Sequence, residues 1–66
     1  MSYAYLVDEN RDSRKEIKNI KRCIKDNPQF SEFTINNMND RIKQLEVDIK
    51  RNEKLMEQYW FKITIL

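Results

Sequence analysis

From residue 35 onward, apolar side chains recur at spacings of three and four: Ile35, Met38, Ile42, Leu45, Ile49, Met56, Tyr59, Ile63 and Leu66, with Asn52 in the one remaining seam position. That is a heptad register sustained from Ile35 to Leu66. A long helix with a single apolar stripe must lay it against another helix, from the same chain or from a second one.

The chain has 66 residues, and a domain of that size buries only about 60% of its unfolded surface. Chains so short usually need a disulfide, a metal or a partner subunit for support. There is one cysteine, Cys23, and no histidine, so an intramolecular disulfide and the common zinc sites are excluded. Oligomerisation or partner binding is the expected support, with no cofactor and no metal. A lone thiol fits a reducing, cytoplasmic setting. Without a single glycine, no phosphate-cradling loop or dinucleotide fingerprint can be written. No apolar run reaches the roughly 18 residues of a membrane span, and Asp8 and Glu9 fall where a signal peptide would be apolar.

The spacing predicts a first helix over about residues 8–26, with Ile17, Ile20 and Ile24 on its apolar face. Asp8 serves as the N-cap; Ser13 and Glu16, spaced as a capping box, mark a later alternative start. Pro28 forces Asn27 out of helical geometry and closes this helix by Asp26. Ser31 reads as the next N-cap, with Glu32 in the first turn and Phe30 and Ile35 spaced as a hydrophobic staple. The second helix is predicted over about 31–58, followed by a tail at 59–66. A connection this short favours an antiparallel two-helix hairpin, coiled-coil-like and mainly α.

The tail reads two ways. By heptad, Tyr59, Ile63 and Leu66 extend the seam. By alternation, Phe61, Ile63 and Ile65 share a strand face, and Ile63-Thr64-Ile65 is β-branched throughout. The strand reading is preferred here. It pairs Tyr3–Val7 with Phe61–Leu66 as a short ribbon, in the order β-α-α-β, within one small domain spanning residues 1–66.

The first helix carries a second pattern. Arg11, Arg14, Lys15, Lys18, Lys21, Arg22 and Lys25 fall on one arc, opposite the isoleucines. Residues 11–25 hold seven basic and two acidic side chains, while the rest of the chain holds six and nine. Such a face fits an acidic protein surface or nucleic-acid phosphates, and otherwise is a solvated lysine-rich helix face. No aromatic side chain interleaves it for base stacking, and only Asn19, off the arc, resembles a base reader.

Met56, Tyr59, Trp60, Phe61 and Ile63 are the candidate self-association residues, with a homodimer favoured. The aromatic run at 59–61 is otherwise core. Asn52 is either a register-fixing polar residue or an exposed asparagine where the intramolecular cover ends. Cys23 lacks the histidine a nucleophile would need, and a two-helix hairpin offers little concavity to desolvate a carboxylate, so no catalytic residue is assigned. The expectation is a non-enzymatic protein–protein interaction module of regulatory or inhibitory kind. Its lysine-, asparagine- and isoleucine-rich composition suggests a phage or mobile-element gene whose product acts on a host enzyme or defence system in the host cytoplasm. The alternatives are a nucleic-acid-binding protein and a structural coiled-coil assembly factor.

Overall fold

The computed structural model describes the backbone of residues 2–65 and the side chains of residues 2–59. The described residues form two helices, α1 (Tyr3–Asp26) and α2 (Glu32–Ile65), packed as a hairpin. Its extents are 55 × 15 × 15 Å. The longest matches the roughly 51 Å expected of the 34 residues of α2 at 1.5 Å each.

The turn is built as the sequence indicates. α1 ends at Asp26, two residues before Pro28. Asn27 closes it: its backbone N–H donates to the Ile24 carbonyl at 3.3 Å, and its Nδ2 donates to the Cys23 carbonyl at 2.7 Å. Two of the otherwise orphaned carbonyls of the last turn thereby gain partners without a glycine. Ser31 caps α2, its Oγ accepting from the Thr34 N–H at 3.2 Å.

The start of α1 and the end of α2 differ from expectation. α1 begins at Tyr3, five residues before Asp8, because Ser2 caps it: the Ser2 Oγ accepts from the Tyr5 N–H at 3.2 Å. Residues 3–7 and 61–65, expected as a β-ribbon, are helical, and no strand occurs among the described residues. A two-stranded ribbon is marginal alone in water, whereas each residue added to an existing helix brings one hydrogen bond. The extra turns of α1 also bring in Leu6, which is 0% exposed. Fully burying a leucine is worth about 1.5–3 kcal/mol. α2 passes residue 58 and runs to Ile65. No glycine or proline lies there to stop it, and β-branched residues cost a helix at most about 0.7 kcal/mol each. Leu66, assigned to the same ribbon, lies outside the described residues.

The longer α1 carries a seam of its own. Leu6, Asn10, Ser13, Ile17, Ile20 and Ile24 alternate spacings of four and three, matching the rhythm of α2. Three cross-helix contacts fix the register: Tyr3 against Tyr59, Asn10 against Asn52 and Glu16 against Arg41. Among the described residues the buried apolar side chains are Leu6, Ile42, Leu45 and Ile49. Asn10 and Asn52, each 1% exposed, are buried beside them.

Asn52 therefore does not mark the end of intramolecular cover, nor is it exposed where the seam meets water. Its Nδ2 donates to Asn10 Oδ1 at 3.0 Å, and Asn10 Nδ2 donates to the Ile49 carbonyl at 3.4 Å. Among the described residues, every buried side-chain nitrogen and oxygen has a hydrogen-bond partner. That satisfaction is what makes two amides tolerable in so small a core.

Candidate interaction surface

The seam orients everything outside it. With Leu6, Asn10, Ser13, Ile17, Ile20 and Ile24 turned toward α2, the 3.6-residue period carries the basic residues away from the core. All seven, Arg11, Arg14, Lys15, Lys18, Lys21, Arg22 and Lys25, are exposed.

The structure divides them. Arg11 lies 3.2 Å from Asp8 and 4.0 Å from Asp12. Arg14 reaches across the hairpin to Glu53 at 3.2 Å. Lys15, Lys18, Lys21, Arg22 and Lys25 form no ion pair among the described residues. Lys18, Lys21, Arg22 and Lys25 stand at i, i+3, i+4 and i+7, the spacing of one helical stripe about 10 Å long. The sequence-predicted basic face is thus one surface with two parts. Its arginine end is neutralised by nearby carboxylates, and its lysine end, toward the turn, is open.

The other flank of the hairpin is acidic. Asp8, Glu9, Asp12, Glu16 and Asp48 border an open groove of about 350 Å³ between the helices, with Tyr5, Ser13 and Leu45 in its wall. Arg41 enters the groove from α2 and holds Glu16 through two hydrogen bonds, 3.2 Å from Nε to Oε1 and 3.1 Å from Nη2 to Oε2. The Glu16 hydrogen bonds, and secondarily the Glu16 charge, raise the Arg41 guanidinium further above its ordinary pKa. Among the described residues no group of three His, Cys, Asp or Glu side chains is arranged to hold a metal ion. Cys23 is half-buried, its Sγ 3.7 Å from Asn27 Nδ2. No helix is long and apolar enough to cross a membrane among the described residues.

Of the residues expected to mediate self-association, Met56 is half-buried in the seam. Tyr59 is 37% exposed and packs edge-on against Tyr3, with ring centroids 6.1 Å apart and planes at 81°. The side chains of Trp60, Phe61 and Ile63 lie outside the described residues. Sequence reasoning missed the α1 side of this end: Tyr3, Tyr5 and Val7 are 41%, 54% and 41% exposed. Extending the three-four rhythm of Ile17 back through Ser13, Asn10 and Leu6 would have placed them on a helix.

No family model matches the chain, and neither a curated protein nor a solved structure does.

Proposed function

We propose that this chain is a non-enzymatic binding protein that regulates or inhibits a protein partner by docking the open end of its basic face against an acidic surface. One observation carries the reading: Lys18, Lys21, Arg22 and Lys25 share a helical stripe, all exposed and none ion-paired among the described residues. Carboxylates of the same molecule pair with Arg11, Arg14 and Arg41, yet the stripe is left without one. Unpaired like charges on one face repel one another, and a complementary surface relieves that repulsion while steering association.

A protein partner fits this face better than a nucleic acid. Glu53, bonded to Arg14, borders the same flank of the hairpin, and Glu46 stands two helical turns earlier on α2. Those carboxylates oppose a continuous phosphate track but suit a patterned protein surface. The supercoiled packing of a coiled coil, a phage origin and a host-cytoplasmic target belong to the same reading and rest on the heptads, the composition and the lone thiol.

The test compares the wild-type chain with a Lys18→Glu/Lys21→Glu/Arg22→Glu variant in affinity capture from cells of its source, alongside titration with duplex DNA and RNA at low salt. The expected result is a captured protein lost from the variant and recovered less well as salt rises, with no nucleic-acid binding. Capture that survives charge reversal would overturn the proposal. Salt-dependent duplex binding, lost in the variant, would replace it with a nucleic-acid function.

A further inference from the structure

The seam is closed in its middle and open toward the turn. Ile42, Leu45 and Ile49 are 6%, 4% and 8% exposed. Nearer the turn, Ile17, Ile24, Ile35 and Met38 occupy the same seam and stay half-buried. Two helices meet along a line, and apolar area left beside that line is what a third helix covers in a bundle.

The unpaired cations begin at the edge of this open stretch. On a helix surface, residues three and four apart are neighbours. Lys21 therefore lies beside both Ile17 and Ile24, with Lys18 and Lys25 next to it. All three lysines are exposed, and none is ion-paired among the described residues. Along α2 the carboxylates run out in the same direction. Glu53 holds Arg14 at 3.2 Å. One heptad toward the turn, the equivalent Lys21 and Glu46 form no ion pair, and a further heptad along α2 the position is Asn39. From Phe33 to Asn39 no residue is charged. The open stretch thus has an aliphatic floor, a cationic edge on α1 and a neutral edge on α2.

Apolar surface and charge together select the occupant. A nucleic acid would use the lysines and leave the isoleucines wet. No strand occurs among the described residues, so they offer no sheet edge to which an extended peptide could add. An amphipathic helix answers both features. Its apolar stripe repeats at three and four, the rhythm of the seam, and carboxylates along one side of that stripe meet the lysines. We propose that the turn half of the hairpin receives an acidic amphipathic helix, its apolar stripe laid over Ile17, Ile24 and Ile35 and its carboxylates along Lys18, Lys21 and Lys25. This rests on the reading that the basic face docks an acidic protein surface, and it names the form that surface takes.

Two synthetic peptides of about 18 residues, long enough to hold a helix, test it against the full chain. One carries leucines at i, i+3, i+4 and i+7 with glutamates along one side. The other holds the same residues reordered so that no apolar stripe forms. By fluorescence anisotropy the first should bind about tenfold or more tighter than the second, and less well as salt rises. Methyl resonances of Ile17, Ile24 and Ile35 should shift on binding, while those of the buried Ile42 and Ile49 stay in place. Asn39→Glu, an exposed change on the neutral edge, should weaken binding by about two- to fivefold with helical circular dichroism unchanged. Equal binding of both peptides, lost in the Lys18→Glu/Lys21→Glu/Arg22→Glu variant, would overturn the groove and leave the acidic-surface reading standing. Tight binding of the striped peptide that survives that charge reversal would overturn both. Binding of neither peptide, or methyl shifts confined to other residues, would overturn the groove alone.

Discussion

The two ends of the hairpin are built on the same rhythm and differ in what they bury. Toward the chain termini, Leu6 is sealed against α2, Asn10 and Asn52 exchange a hydrogen bond in the core, and the outer surface is aromatic. Toward the turn, Ile17, Ile20, Ile24, Ile35 and Met38 occupy equivalent seam positions, yet each is only half-buried, and the surface around them is lysine-rich. Apolar content is greater at the turn, yet none of the α1 isoleucines there is enclosed as Leu6 is. Burial in a two-helix hairpin therefore depends on what flanks the seam as well as on what occupies it. Two helices cover each other along a line, and long side chains beside the line decide how much water reaches it. At the turn the flanking lysines extend into solvent.

Truncations on the two sides should expose the contrast most strongly. Leu6→Ala should cost about 2–5 kcal/mol, because a fully enclosed leucine leaves a cavity as well as losing its transfer energy. For a domain of this size each kcal/mol lowers the melting temperature by about 4–8 °C. Ile24→Ala should cost clearly less, since the site is already half open to water. Thermal denaturation followed by circular dichroism orders the two, and equal losses would mean the halves are equally closed.

The polar pair comes next. Asn52→Ala leaves the Asn10 carboxamide oxygen buried without its donor, at a cost of about 1–3 kcal/mol. Asn10→Leu/Asn52→Leu removes both amides and should recover that loss or better. Urea denaturation of the singles and the double closes a mutant cycle; additive losses would show that the amides are not coupled.

The smallest effect belongs to the acidic flank. Arg41→Gln removes both hydrogen bonds to Glu16, but the pair is exposed and solvent-screened. The change in stability should be slight at low salt and vanish at high salt. Its pH dependence has a definite sign. The folded-state pKa of Arg41 is raised, so the pair's contribution is complete below the unfolded value and is lost only as pH rises through the folded one. That window lies far into alkali, and from about pH 6 to 9 the wild-type and variant melting curves should keep a constant separation.

The turn was the legible part of the sequence. Pro28 excludes helix at Asn27 by sterics, and Ser31 supplies a hydroxyl where α2 needs an acceptor, so both boundaries follow from local chemistry. The first turns of α1 were illegible for a complementary reason. Asn10 and Ser13 do not register as seam residues in an apolar count, and Tyr3, Tyr5 and Val7 have side chains that favour strands. What reveals them as helix is tertiary: Leu6 finds an enclosed site, and Asn10 finds Asn52 across the hairpin, 42 residues away in sequence. At the other end, the heptad reading of residues 59–65 agrees with the helix and the alternation reading does not, because α2 is already nucleated and extends without a fresh entropic cost. The basic residues were legible as a face because helical periodicity alone places them. Which of them are neutralised was not, since the Glu53 that holds Arg14 is 39 residues away.

A heptad repeat is blind to displacement by seven residues, since a helix slid by two turns presents the same rhythm to its neighbour. The two buried amides remove that degeneracy. Slid by one repeat, Asn52 would face either Tyr3 or Ile17, and the hydrogen bond between the two carboxamides would be lost. The pair gives a periodic molecule an origin, from which the position of every lysine on its outer face is counted.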